Sequence, residues 1–294
     1  IMYNLSVKMA KNVIEGDLLL GDDGTCRKVL SVNKGVEEMF RIVQEYGNEY
    51  VVNKSHILTL LDNINKKVVD IPLVDILETY ENYSPVSCKY NGGVYFSSAR
   101  DIGRYMGSNV NNDSVFNVNY RKIPENYRSW DISSKISFFT GLLDTSELIA
   151  NSYNNRSINI YIHKNKPIYT IMDLLRSAGI RCIYEDSFIK ILNNGFNNTM
   201  ENIHISSIGQ GEYYGFTLDG NERFVLGDWT VTHNTAIAKC LSECLNIPFT
   251  QMSFGGVNNP EFLVGHDYTY IGSRAGEISR CLIRMSAKNG IIFL

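Results

Sequence analysis

The sequence lacks the patterns that mark disulfide-rich, zinc-binding and membrane-spanning proteins. Its six cysteines, at positions 26, 88, 182, 240, 244 and 281, include no C-x-x-C pair, which predicts reduced thiols in a cytoplasmic compartment. There is no apolar run of membrane-spanning length and no secretory leader at residue 1, so we expect no membrane partner. The net charge of −3 gives no overall basic footprint for nucleic acid.

What the chain does have is enough apolar material for more than one core. Its 294 residues are 44% hydrophobic and 20% charged, a composition typical of soluble globular proteins with two or more domains. The chain begins with Ile1 rather than Met, and it stops within the apolar run 291–294. We therefore expect a fragment that is truncated at both ends.

Three consecutive residues, His233, Asn234 and Thr235, carry groups suited to self-cleavage. The side-chain amide of an Asn can attack its own backbone carbonyl, which closes a five-membered imide and cuts the chain after the Asn. A preceding His can hydrogen-bond and polarise that carbonyl, and a following hydroxyl can act as an acyl acceptor. On its own the tripeptide is equally compatible with a polar turn, so the flanking sequence is needed to distinguish a self-cleaving junction from such a turn.

The flanking sequence closely resembles the C-terminal splicing region of inteins, which are self-excising domains of the Hint fold. Residues 213–226 read YYGFTLDGNERFVL, and His and Asn follow a few residues later, as in that family. The resemblance implies that Asn234 cyclises, that His233 assists it, and that Thr235 is the first host residue and the nucleophile of the branched ester. Glu222 stands where inteins often have His; it can still exchange a proton, and we expect slower cyclisation.

The N-terminal region is predicted to form the other half of the same fold. It reads as short strands broken by turns, with a tight hairpin turn at 21–24 and further strands at 29–32, 39–43 and 50–58. In the Hint resemblance, His56 falls on the His that protonates the upstream scissile amide, and Asn53 replaces the usual Thr of that motif. An ordinary strand histidine is the alternative. Ile1 cannot replace the Cys or Ser with which an intein begins, so we expect that nucleophile upstream.

The middle segment, 87–200, resembles a degraded LAGLIDADG homing endonuclease, an α/β module carried by inteins. Residues 102–108 (IGRYMGS) resemble its first motif, and residues 136–146 (ISFFTGLLDTS) resemble its second. A small residue such as Gly141 lets two helices pack closely, so that a carboxylate at each helix end reaches a shared divalent metal. Ser108 stands where the family has Asp, so Asp144 is the one metal-binding carboxylate that the resemblance leaves.

Charge in the middle segment gives weak support for DNA as a partner. Residues 86–200 contain thirteen Lys and Arg against nine Asp and Glu, a balance of +4. Such a module could contact DNA phosphates, but many solvated protein faces carry as much charge. We expect a structural insert that no longer cuts DNA, with an active homing endonuclease as the alternative.

Beyond Thr235 the character of the sequence changes from strands to a helix. Ile237, Leu241 and Leu245 form one apolar stripe, and strands are predicted at 249–254 and, fully buried and parallel, at 291–294. Residues 253–278 (SFGGVNNPEFLVGHDYTYIGSRAGEI) carry Gly-Gly, Gly-His and Thr-Tyr-x-Gly at the spacings of the AAA+ module of Lon proteases. The segment resembles that family.

The Lon resemblance implies roles for three residues. Thr235 would be the Thr of a Walker A loop, whose hydroxyl binds Mg²⁺ together with ATP. Tyr270 and Ile271 would be the pore-loop pair that grips unfolded protein substrate, although a surface aromatic is the alternative for Tyr270. The host would be a homo-hexameric, ATP-dependent serine protease, and a domain inserted before Thr235 would break its phosphate-binding loop until it is excised.

Together these patterns predict a mixed architecture. An all-β, horseshoe-shaped Hint domain would be formed by 1–86 and 201–234, an α/β LAGLIDADG-like insert by 87–200, and part of an α/β P-loop AAA+ domain by 235–294. The predicted function is single-turnover self-excision, which acts in cis on the flanking host sequence and needs no cofactor. A Hint protein that only processes itself is the remaining alternative.

Overall fold

The computed structural model describes residues 1–108, 118–146, 148–150, 157–192, 200–233, 247–251, 263, 276–287 and 289–293. Within this part of the chain the fold is mostly β-sheet with few helices. None of the helices described is long and apolar enough to cross a membrane.

The strands follow one another as β1 (Leu18–Leu20), β2 (Cys26–Gln44), β3 (Tyr50–Asn53), β4 (Ile57–Asp62), β5 (Lys67–Pro72), β6 (Tyr83–Pro85), β7 (Leu148–Ala150), β8 (Ser157–Tyr161), β9 (Cys182–Glu185), β10 (Phe188–Leu192), β11 (Ile203–Leu218), β12 (Arg223–Val225), β13 (Val231–His233), β14 (Phe249–Gln251) and β15 (Ile291–Phe293). The α-helices are α1 (Leu73–Ile76), α2 (Ala99–Gly107), α3 (Ile132–Thr145), α4 (Ile168–Ser177) and α5 (Glu277–Met285).

The first sheet joins distant parts of the chain through a long two-stranded ribbon. β2 pairs antiparallel with β11 from Val29 opposite Leu218 to Gln44 opposite Ile203, while β1 and β3 add to β2. The predicted turn at 21–24 is confirmed, since Gly24 has a φ of +80° and connects β1 to β2. The two strands predicted at 29–32 and 39–43 are one 19-residue strand, because β11 pairs with it throughout.

The second sheet brings the same two regions together a second time. Its order is β12-β13-β4-β5, and β6 pairs with the other end of β4. Leu58 and Leu60 of β4 are fully buried with Ile42 of β2 and Ile203 of β11, so one apolar core contains strands from both sides of the middle segment. We call this β-rich unit, built from residues 1–86 and 201–233, the β domain; the domain boundaries themselves stay predictions.

The middle segment has its own sheet and its own core. The sheet order is β7-β8-β10-β9, all antiparallel, and its buried residues include Trp130, Phe138, Ile160 and Leu174. We call this unit the insert. The helices and strands described in it, α2 to α4 and β7 to β10, agree with the predicted α/β character.

Helices α2 and α3 of the insert cross where each has a glycine. A Cβ atom added to Gly141 would lie 2.0 Å from the backbone oxygen of Arg100, and one added to Gly103 would lie 2.1 Å from that of Phe138. No side chain can occupy either position without moving a helix backbone. The close packing that the sequence predicts at Gly141 is confirmed, and Gly103 is its counterpart on α2.

The last described elements form a small α/β unit. β14 and β15 pair in parallel, with Phe249 opposite Ile291, and α5 precedes β15 along the chain. The predicted parallel pairing is confirmed. The prediction that 291–294 is fully buried is wrong for Ile291 and Ile292, which are half-buried, because within the described residues β15 has β14 as its one neighbouring strand.

Candidate functional site

His56 and the end of β13 meet in the second sheet although they lie far apart in the sequence. His56 directly precedes β4, and the first residue of β4, Ile57, is the register partner of His233. The Nε2 atom of His56 lies 2.9 Å from Oγ1 of Thr232. Thr232 is 2% exposed and His233 is 8% exposed. The fold therefore brings His56 to the strand that carries His233, next to the backbone that leads to Asn234.

Burial sets the charge state of both imidazoles. Burial and, to a lesser extent, the proximity of His233 together lower the pKa of His56 to about 3. Burial also lowers the pKa of His233, against the opposing effect of Asp70. Both rings are therefore neutral at pH 7, and a neutral imidazole has one N–H donor and one acceptor nitrogen. Each ring can donate a hydrogen bond to a carbonyl oxygen without the cost of burying a charge.

Glu222 lies in the turn between β11 and β12. Its backbone has a φ of +59°, in the left-handed region, and its Oε2 atom is 3.9 Å from Nε2 of His233. The distance is too long for a hydrogen bond but close enough for the carboxylate to influence a proton on the ring. Next to it, Arg223 donates to both carboxylate oxygens of Asp70, at 2.7 to 3.0 Å, which ties the hairpin to β5.

Two partners of His56 differ from the family pattern. Asn53, which replaces the expected Thr, donates from Nδ2 to Glu37 of β2 at 3.0 Å and to Ser55 of the following turn at 2.9 Å, so its amide is bonded away from the His56 ring. The hydroxyl on the His56 ring comes instead from Thr232. The only sequence signal for Thr232 is its place between two strand residues, Val231 and His233, and this signal does not predict a contact with His56.

A cavity of about 360 Å³ opens beside His56. Its lining includes His56, Thr232, Tyr50, Tyr214 and Phe224, so that polar and aromatic side chains share its wall. The cavity leaves space next to the half-buried His56 residue. The cavity could not be predicted from the sequence, because its walls come from residues of β2, β3, β4, β11, β12 and β13.

Ile1 contributes burial rather than chemistry. Its backbone nitrogen donates to the backbone oxygen of Val225 at 2.5 Å. Its side chain packs in a core with Trp229 and Val231. Ile1 thus lies close to β12 and β13 but has no nucleophilic side-chain atom to offer.

The structure places the predicted endonuclease residues Ser108 and Asp144 at the C-terminal ends of α2 and α3, and metal binding by them stays a prediction. Ser108 and Ser146 each cap the C-terminal end of a helix, five residues after Gly103 and Gly141 respectively, so the two serines are equivalent. Asp144 is therefore not the counterpart of Ser108, which differs from the predicted pairing. Within the described residues no cluster of three or more His, Cys, Asp or Glu could hold a metal ion.

The Asp144 carboxylate is bonded to arginines instead. Its Oδ2 atom accepts from Arg100 at 2.9 Å and lies 3.3 Å from Nε of Arg104. These cations keep the pKa of Asp144 below its usual value. Ser108 donates from Oγ to the Tyr105 backbone oxygen at 2.8 Å, so its hydroxyl serves the helix end.

Four of the predicted residues lie outside the described residues. They are Asn234, Thr235, Tyr270 and Ile271. The predictions that Thr235 binds Mg²⁺ with ATP, and that Tyr270 and Ile271 contact substrate, stay predictions.

Comparison with known proteins gives matches of two kinds and no matching family model. The chain is 37% identical over 60 residues to a Lon protease of Mycoplasma mycoides subsp. mycoides, which covers 20% of this chain and 8% of that protein. It is 33% identical over 60 residues to a Lon protease of Fervidobacterium nodosum, covering 20% and 7%. It is 35% identical over 60 residues to the peroxisomal Lon protease homolog 2 of Eremothecium gossypii, covering 20% and 6%. The chain thus spans less than a tenth of these relatives.

Among solved structures, the chain is similar to the gp41-1 intein. The likeness has a TM-score of 0.28 and 14% sequence identity, and it covers 77% of this chain and 87% of that one. A substituted form of the same intein gives the same values. The matched proteins are inteins and Lon proteases. These are the two families that the sequence predicts.

Proposed function

We propose that the β domain is an intein-type, self-cleaving Hint element and that it breaks the peptide bond between Asn234 and Thr235. The observation that carries this proposal is the pairing of His56 with β13. His56 lies far from β13 in the sequence, yet its ring bonds to Thr232, which directly precedes His233, Asn234 and Thr235. Both histidines are neutral, so the fold brings a second neutral imidazole to the strand that leads into this tripeptide.

The proposed reaction is an intramolecular cyclisation. The side-chain nitrogen of Asn234 forms a bond to its own backbone carbonyl carbon, and the bond from that carbon to the nitrogen of Thr235 breaks. The proton lost by the attacking amide goes to the departing amine of Thr235. His233 donates a hydrogen bond to the carbonyl oxygen, where negative charge develops, and Glu222 stabilises any positive charge that the ring acquires.

His56 has a supporting place in this arrangement. Its hydrogen bond with Thr232 fixes the ring against the residue next to His233. A ring with a pKa of about 3 cannot store a proton at pH 7, so His56 would act as a neutral donor or as an acceptor. In the complete splicing reaction, the same ring would face the upstream junction across the cavity.

We infer a Lon-like AAA+ host for the segment after Asn234. The Lon matches extend over 60 residues, the same length as the predicted host segment 235–294. The parallel pairing of β14 with β15 supports an α/β unit. In the spliced host Thr235 would complete the Walker A loop and bind Mg²⁺ with ATP, and the host would form a hexamer that acts on unfolded protein through Tyr270 and Ile271.

We infer that the insert is a LAGLIDADG-type helix pair that does not cut DNA. The contact between Gly103 and Gly141 supports the helix pair. The equivalent helix ends carry Ser108 and Ser146 instead of carboxylates, so they lack the oxygen donors that hard divalent cations require. Its balance of +4 would support weak DNA binding at most.

Intact-mass measurement on the purified chain tests the proposal. The chain is incubated at neutral pH under native conditions, alongside an Asn234→Ala variant. We expect the wild-type chain to release a piece that begins at Thr235, and the variant to stay whole because alanine has no amide to cyclise. Wild-type chain that stays intact over days, like the variant, contradicts the proposal.

A further inference from the structure

The turn that leads into β13 holds a buried tryptophan in a strained conformation. Trp229 is fully buried and has a φ of +70°, in the left-handed region that bulky residues rarely adopt. Such a residue persists only where its surroundings fix it. What surrounds Trp229 therefore determines the course of the backbone two residues before β13 begins.

The insert supplies much of those surroundings. The indole N–H of Trp229 donates to Oδ1 of Asp173, on α4, at 3.0 Å. The ammonium group of Lys135, on α3, lies 5.8 Å from the Trp229 ring and 5.1 Å from the ring of Tyr90, and the two rings are 5.9 Å apart. These are distances at which a cation and aromatic rings attract one another. Side chains from two insert helices thus contact the Trp229 side chain of the β domain.

Arg181 of the insert reaches the same turn from the other side. Its guanidinium group donates to both carboxylate oxygens of Glu201 at 2.7 Å, to Gln44 at 2.7 Å, to Ser87 at 3.1 Å and to Thr230 at 3.0 Å. Arg181 is 5% exposed and Glu201 is 3% exposed. A buried, bidentate pair of this kind has a fixed geometry, so the position of Thr230 is coupled to that of the insert.

The carboxylate of Asp228 completes this network. It accepts from the Thr230 hydroxyl at 3.0 Å, from Gln44 at 3.2 Å and from the backbone nitrogen of Asn48 at 2.8 Å. Three successive residues, Asp228, Trp229 and Thr230, therefore each have a side-chain hydrogen bond to a residue outside the turn. The strand that follows has three residues, Val231–His233. Because it is so short, a displacement of the turn would also displace His233.

We propose that the insert acts as a brace that positions β13, and that Trp229 and Arg181 are positioning residues for His233. The proposal rests on the self-cleavage proposed above and assigns the insert a part in it. An endonuclease-like module is thus built into the β domain as a structural component of the processing site.

Paired tryptophan variants test this proposal in the full chain. Trp229→Phe keeps a buried ring but loses the indole donor to Asp173. Trp130→Phe is the matched control: Trp130 is fully buried in the insert core, stacks on Phe96 at 4.6 Å, and its indole nitrogen has no hydrogen-bond partner. Arg181→Lys is a second test, since it keeps the charge but loses the fork that binds Glu201.

Two measurements are made on each variant. One is the rate of cleavage after Asn234, which we expect to fall by about three- to tenfold in Trp229→Phe, the equivalent of one lost hydrogen bond, and to fall in Arg181→Lys. The other is the NMR signal and titration of the His233 ring, which we expect to shift in both of these variants. Trp130→Phe should leave both measurements unchanged while it lowers the stability of the insert.

The outcomes separate the two proposals. Absence of cleavage in the wild-type chain contradicts the proposed function. The NMR signals of the His233 ring in the variants then still show whether the insert positions that ring. Cleavage in the wild type together with unchanged rate and unchanged His233 signals in Trp229→Phe and Arg181→Lys overturns the brace. Equal effects of Trp229→Phe and Trp130→Phe also overturn it, because they would reflect general destabilisation.

Discussion

Replacing Gly141 by alanine sets two physical effects against each other. In an unobstructed helix the change from glycine to alanine stabilises by about 1 kcal/mol. Here the added Cβ would lie 2.0 Å from the Arg100 backbone oxygen and 3.0 Å from the Arg104 backbone nitrogen. Backbone atoms cannot rotate out of the way as a side chain can, so α2 and α3 would have to separate by more than about 1 Å to restore ordinary contact.

The net effect follows from the size of the two terms. Overpacking of a core costs about 1–3 kcal/mol, and a contact against backbone belongs at the upper end of that range. Separation of the helices would also loosen the packing of Phe138 and Leu142, both fully buried at the crossing. After subtraction of the propensity gain, we expect Gly141→Ala to lower the free energy of unfolding by about 2 kcal/mol.

Urea denaturation followed by tryptophan fluorescence measures this change. Thr140→Ala is the control, because Thr140 is the neighbouring residue on the exposed face of α3; we expect a change of about 0.5 kcal/mol or less, in the stabilising direction. A Gly141→Ala variant as stable as the wild type, or more stable, would refute the close helix crossing.

Three further predictions concern charged and titratable groups. The pKa of His56 is about 3 in the folded state, whereas an unfolded His titrates near 6.5, so the unfolded state binds more protons as the pH falls below 6.5. The free energy of unfolding at pH 5 should therefore be lower than at pH 7.5 by about 2 kcal/mol. Urea denaturation at the two pH values measures this difference, and His56→Gln should remove it. Arg181→Met should cost about 3–5 kcal/mol, because it leaves the Glu201 carboxylate buried without its cation; a smaller loss in urea denaturation would contradict the buried pair. Asp144→Ala should lower the free energy of unfolding by less than about 1 kcal/mol, since its ion pairs are exposed. A loss similar to that of Arg181→Met would contradict the expectation that burial determines how much an ion pair contributes to stability.

Short-range sequence patterns were enough to predict the turns, strands and close contacts that depend on a few neighbouring residues. The turn containing Gly24, the parallel strands after Pro248 and the close approach at Gly141 each follow from residue type and spacing within a few positions. The neighbourhood of His56 and His233 was predicted only through a family resemblance, because strand pairing between residues so far apart leaves no periodic signal in either strand.

Side-chain networks between distant segments could not be predicted from the sequence. Thr232 as the partner of His56, and Arg181 as a fork between the insert and the β domain, depend on which surfaces meet after folding. The equivalence of Ser108 with Ser146 became clear only when Gly103 and Gly141 were seen to face each other. In each case the decisive information is a distance between elements, which no window of the sequence contains.

The most direct test of the account is the mass of the N-terminal product that the native chain releases. Cyclisation of Asn234 predicts a product that ends at residue 234 and is one water lighter than the free acid, together with a partner that begins at Thr235. The N-terminal product should have the same initial mass whether the reaction takes place in ordinary water or in ¹⁸O-water, because ring closure incorporates no oxygen from solvent. A product that carries solvent oxygen from the outset, or cleavage at any other bond, would contradict self-cleavage by cyclisation.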